Sequence, residues 1–362
     1  MVEGGAGQAG GRWQELSRFD TAAISIPTGL RCAVAIALPL IVGISTGHSR
    51  AAGWGAVGAF LTDMAMNQPE HRFRARIVAG AAVLVALGGF LGALTGIKGW
   101  VIYPLVALWT AASGLAVAIS PRAALVGVSS ATGLLYAASF QVSALEAVRV
   151  GAWMLAAGLG AAAIGWVTHL PPESSRAAGP PAPATPVGLE WVRSSARAVR
   201  QGLTGDSTLA HHAARLTTVS VVATVLYRVI NPVDGFWIPE AALFIGRPDA
   251  TLSLERSILR VAGSFVGVTV TTLILVTVEP SSTGLAVIAV VAGAIAFAVQ
   301  RVNFGFYITF VTVIFVVLTA FGGVPESHAV YQRLLYNILG ATLAAASLRL
   351  WPSPARLSAP SP

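Results

Sequence analysis

Long apolar runs divide this chain, separated by short charged or Gly/Pro-rich breaks. The runs at 77–97, 101–119, 150–167, 261–278, 285–299 and 304–321 contain no charged residue. A helix needs ~20 apolar residues to cross ~30 Å of hydrocarbon, and these runs approach or reach that length. They do not alternate with a period of two, so barrel strands are excluded. The pattern predicts helices at 28–45, 51–67, 74–96, 100–119, 123–141 and 147–168. A second set falls at 211–230, 235–246, 256–278, 284–299, 304–322 and 328–350. The expected fold is all-α: a polytopic membrane protein of about 12 transmembrane helices.

The breaks organise the chain. Residues 171–188, PPESSRAAGPPAPATPVG, are too rich in proline to pack as a helix and read as a linker. The expected plan is a polar tail (1–20), a first membrane repeat (21–170), a linker (171–209), a second repeat (210–352) and a short tail (353–362). Trp54 and Trp237 lie 183 residues apart, and Val78-Ala79-Gly80 recurs at the same offset as Val261-Ala262-Gly263. Arg31 and Arg215, like Arg149 and Arg333, match at an offset of 184. Matches at nearly one offset point to duplication. With six spans per half, the two repeats are parallel rather than inverted.

Charge adds orientation. Only 10% of residues are charged and 55% are hydrophobic, with a formal net charge of +8. The positive-inside rule puts Arg72, Arg74, Arg76, Arg122, Arg247, Arg256, Arg260 and Arg301 in cytoplasmic loops, and Asp234, Glu279 and Glu326 outside. Both termini are then cytoplasmic, and the N-terminus lacks the order of a cleaved signal peptide. The linker segment 191–203, WVRSSARAVRQGL, sets Trp191, Val192, Val199 and Leu203 against Arg193, Arg197 and Arg200 at helical spacing. It reads either as a basic helix lying on the inner leaflet or as a short solvated helix. Cys32 is the single cysteine, so no intrachain disulfide forms.

The chemistry centres on DGFWIPEAALFIGRPD, 234–249. This segment is short for a span and carries Pro239 and Glu240. A carboxylate at that depth costs ~3 kcal/mol and usually faces a bundle interior or a cavity. Pro239 is expected to break the helix, with Arg247 and Asp249 closing its inner end. Glu240 reads as a proton carrier in a cavity, or as a structural partner of Arg228 or Arg333. Asp63 is the second intramembrane acid, either proton-coupling or a helix-end anchor. Arg333 and Arg149 could each hold a carboxylate through forked hydrogen bonds, or pair with Glu146, Glu326 or a phospholipid phosphate. Trp54, Phe236, Trp237, Tyr307 and Tyr336 could stack on an aromatic substrate or anchor the chain at the membrane interface. No G-x-x-x-x-G-K-[ST] or H-E-x-x-H motif occurs, and no enzyme, metal site, cofactor or nucleic-acid partner is expected.

The order of motifs in the second half carries a family resemblance. GFWIPEAALFIGRPD (235–249), ERSILRVAGSFVG (255–267), YQRLLYNILGATLA (331–344) and LWP (350–352) resemble the fusaric-acid-resistance-like, aromatic acid exporter family. The resemblance implies proton-driven efflux of small, aromatic organic acids across a bacterial inner membrane. Protons and membrane lipid are then partners, and a homo-oligomer is left open. The alternative is a gated organic-anion channel. A non-transporting envelope scaffold is disfavoured by the small cytoplasmic portion.

Overall fold

The computed structural model describes residues 19–66, 74–95, 99–140, 142–168, 189–205, 207–230, 235–246, 250–321 and 326–351. Among these, all regular structure is helical. The helices are α1 (Ile26–Ser45), α2 (Ser49–Met66), α3 (Arg74–Thr95), α4 (Ile102–Leu115), α5 (Pro121–Ala138), α6 (Ala144–Thr168) and α7 (Leu189–Gly205). They continue as α8 (Ser207–Ile230), α9 (Trp237–Ile245), α10 (Ala250–Val278), α11 (Ser282–Val299), α12 (Phe304–Ala320) and α13 (Glu326–Leu350). Side-chain caps mark several starts. Ser120 accepts from the Ala123 N–H ahead of Pro121, Ser281 from Gly284, and Asn303 from Gly305 and Phe306. Each fills a backbone donor that the first helical turn leaves open.

Among the described residues, seven segments are long and apolar enough to cross a membrane: Ile26–Ser45, Ile77–Thr95, Gly99–Ala118, Ala144–Thr168, Thr208–Ile230, Arg256–Val278 and Ser282–Val299. Their outer surfaces are apolar as well. On α1, Leu30, Val34, Leu38 and Ile41 are exposed at helical spacing, a stripe suited to lipid rather than water. The protein is therefore a multi-pass α-helical membrane protein.

Two of the expected spans take a different form. Every residue of α2 from Ala51 to Met66 is buried, so its modest hydropathy reflects small residues in a helix wrapped by protein. The helix within 235–246 has nine residues. At 1.5 Å per residue it rises about 13 Å, under half the hydrocarbon thickness. Pro239, expected to break a helix, lies instead in the first turn of α9, where its missing N–H removes no helical bond.

Close helix approaches rest on glycine. A Cβ at Gly88 or Gly92 on α3 would collide with the Ser130 or Leu134 carbonyl of α5. A Cβ at Gly263 or Gly267 on α10 would meet the Gly305 or Thr309 carbonyl of α12. These G-x-x-x-G pairs let backbones touch where hydrophobicity supplies no drive between helices in lipid. The same pairings recur in both halves. α3 packs on α5 and α6 as α10 packs on α12 and α13, and α2 packs on α6 as α9 packs on α13. Across the halves, α1 packs on α11 and α8 on α4.

Candidate functional site

Aromatic side chains from both halves converge in the middle of the bundle. Phe60 of α2 meets Phe297 of α11 and Phe315 of α12 edge-on, at 5.4 and 5.5 Å between ring centroids. Tyr136 of α5 packs against Phe236 at 5.7 Å, and Phe236 lies 4.2 Å from Trp237. Trp237 in turn meets Phe315 at 5.6 Å. Phe236, Trp237 and Tyr336 are buried in this core. By contrast, Trp100 and Trp166 are largely exposed.

Arg333 enters this core from α13. It is 3% exposed, and its guanidinium carbon lies 3.5 Å from the centre of the Trp237 ring. A desolvated cation–π contact of this kind is worth about 2 kcal/mol or more. Among the described residues no carboxylate pairs with it, and its Nε and Nη1 have no hydrogen-bond partner. Glu240 attracts its charge from a distance and Arg260 repels it. A buried cation with open N–H groups is expensive unless something anionic fills the gap.

Glu240 lies in the first turn of α9, where the helix dipole favours a negative charge. It is buried and ion-paired to Nη2 of Arg260 on α10, not to Arg228 or Arg333. Sequence alone placed Arg260 in a cytoplasmic loop. The structure places it inside α10, 4% exposed, because that helix begins several residues before its apolar run. Asp63 has a similar arrangement. Arg31 of α1 grips it side-on, Nε to Oδ1 at 2.9 Å and Nη2 to Oδ2 at 3.3 Å. Arg31 had figured in the sequence only as a repeat marker. Tyr307 of α12 lies within electrostatic reach of Glu240, Arg260 and Asp63. Among the described residues the buried charges are Arg31, Arg215, Arg260 and Arg333 against Asp63 and Glu240, a net cationic interior.

The other expected residues are placed as follows. Trp54 is buried and meets Phe140 at 6.0 Å, one ring removed from Tyr136. Arg149 is exposed on α6, apart from the core. Arg247 and Asp249 lie outside the described residues, as do Arg72, Lys98, Asp234 and the linker 171–188. Sequence reasoning missed Arg31 and Arg260 as partners of the two acids. Their only signal was an arginine near the end of an apolar run.

Residues 222–347 match the family described as fusaric acid resistance protein-like. Outside that family description, the chain is 30% identical over 158 residues to "Uncharacterized protein ORF2" of Neisseria gonorrhoeae, covering 43% of this chain and 37% of that protein. It is 29% identical over 172 residues to the inner membrane protein YccS of Escherichia coli (strain K12), covering 46% of this chain and 23% of that protein. The matches thus span well under half the length of either relative. No solved structure matches the chain.

Proposed function

We propose that this chain, fusaric acid resistance protein-like over residues 222–347, is a secondary transporter that exports small organic anions, aromatic carboxylates among them. One observation carries the reading: Arg333, a buried cation with two partnerless nitrogens, its guanidinium carbon over the Trp237 ring. A substrate carboxylate would accept hydrogen bonds from the open N–H groups, as charge-assisted pairs do. An attached ring would find Phe236, Trp237 and Phe315 nearby. The net cationic interior among the described residues favours anions over cations.

The architecture we propose is twelve membrane helices in two parallel repeats, in a bacterial inner membrane with both termini cytoplasmic. The recurring pairings of α3 and α10, of α2 and α9, and the exchanged contacts α1–α11 and α8–α4 support it. Glu240 and Asp63 are the proton-coupling candidates. Each would have to leave its arginine to take up a proton, so coupling requires the pairs Glu240–Arg260 and Asp63–Arg31 to open during the cycle.

A second reading has its own support. Both buried carboxylates are already held by arginines, an arrangement that suits a gated anion channel in which neither acid carries protons. Flux assays in proteoliposomes separate the two. A coupled transporter moves a labelled aromatic carboxylate uphill when a proton gradient is imposed, and an uncoupler stops it. Flux that follows only the anion gradient and ignores the uncoupler assigns the channel. Absence of flux in both conditions removes both readings.

A further inference from the structure

Helix α7 (Leu189–Gly205) takes no part in the anion site. It packs on the start of α8 and on the 3₁₀ turn Ala116–Ala118. Those two elements are the ends of the candidate spans Thr208–Ile230 and Gly99–Ala118. The helix is thus held at the level where two hydrocarbon-crossing segments stop, which is where lipid headgroups lie. Its side chains are sorted to match. Ser194, Ser195, Ala198, Val199 and Gly202 turn toward the bundle and are partly buried. Next around the helix come Val192, Ala196 and Leu203, all exposed. Beyond them lie Arg193, Arg197 and Arg200, also exposed, with Glu190 the one acidic residue of the helix. An apolar strip beside a cationic strip is the pattern of a helix lying in the interface plane.

Between this helix and the bundle runs an open groove of about 470 Å³. Ile119, Ala196, Val199 and Leu203 give it apolar walls, and Arg200 stands among the lining residues. The volume falls in the range of small-molecule sites. An apolar trough with a guanidinium beside it suits a molecule with one acyl chain in the groove and an anionic head against the arginines.

We infer that α7 and its groove form a binding site for anionic phospholipid of the leaflet reached by the ends of α4 and α8. Charge complementarity and position at the span ends point to a lipid headgroup, and free phosphate would leave the apolar walls unused. Each arginine near an anionic surface contributes roughly fivefold in partitioning.

The test uses the purified full chain in mild detergent, titrated with short-chain phosphatidylglycerol or phosphatidylcholine, with bound lipid counted by native mass spectrometry. The wild type is expected to prefer phosphatidylglycerol. Arg193→Gln/Arg197→Gln/Arg200→Gln should weaken that binding roughly a hundredfold. The corresponding triple lysine variant, which keeps the charge, should stay within a few-fold of wild type. Ala196→Trp, at an exposed position, should fill the groove and displace the lipid without unfolding the protein. Equal binding of the two lipids by the wild type overturns the inference, as does unchanged preference in the triple Gln variant. Displacement of the lipid by an equal concentration of inorganic phosphate overturns it as well, because the site would then be for phosphate alone.

Discussion

Replacing Arg333 with methionine should stabilise the protein and abolish its transport. The guanidinium is 3% exposed and has no carboxylate partner among the described residues. Methionine has a similar reach and no charge. The substitution forfeits the contact with Trp237 at 3.5 Å, about 2 kcal/mol. It also relieves two buried polar groups without hydrogen bonds, about 1–3 kcal/mol each. The longer-range attraction of Glu240 and repulsion of Arg260 oppose one another. Replacing buried charge with well-packed apolar side chains gains about 1–4 kcal/mol where it succeeds, and that is the expected range. The assay is chemical unfolding of the purified chain in detergent, with and without benzoate. A ligand at a hundred times its Kd stabilises wild type by about 2.7 kcal/mol. Arg333→Met should start higher and gain nothing from the ligand. Loss of several kcal/mol in the variant, or retained stabilisation by benzoate, refutes the reasoning.

Glu240→Gln and Arg260→Met should each cost about 3–5 kcal/mol, because each strands a buried partner, while the double variant recovers most of the loss. Strictly additive costs in that cycle would mean that the pair does not act as a unit. Gly92→Leu should prevent correct folding, at about 3 kcal/mol or more, because its side chain enters the Leu134 backbone. Gly80→Leu, with open space around it, should change stability by no more than about 1 kcal/mol; thermal melts of the two variants test the contrast. A cysteine at Gln201 on a Cys32→Ala background should be labelled by a membrane-impermeant thiol reagent only after cells are opened. Labelling in intact cells would reverse the proposed orientation.

Helix positions were legible because hydropathy is a one-dimensional signal. Each apolar run is long enough to demand a helix, and the structure places helices on all of the predicted stretches. Depth and partnership were not legible, because they depend on how helices pack. Arg260 looks like a loop residue because the apolar run starts at Val261, yet α10 reaches back to Ala250 and turns that arginine inward. Pro239 looks like a helix breaker until the helix is seen to begin two residues before it. Of the site, Glu240, Trp237 and Arg333 were readable as an acid, a ring and a cation in apolar surroundings. Which of them touch was not readable, because Glu240 and Arg260 are 20 residues apart in sequence and Trp237 and Arg333 far more. Aromatic residues were ambiguous for the same reason. Composition does not separate a core tryptophan such as Trp237 from an exposed one such as Trp100.

The exchanged contacts α1–α11 and α4–α8 have an evolutionary reading. Each half lends its opening helix to the other and receives one in return. If a single-copy ancestor had the same packing, its lone six-helix chain would have left those faces uncovered. It could have completed itself only by pairing with an identical chain, so self-association would have preceded gene fusion. In that history the stretch between α6 and α7 is a tether added to a complex that already held together. On that history, fusion would have freed the two copies to diverge, and Glu240 would stand in one where the other has Val57, a difference that a symmetric pair could not hold.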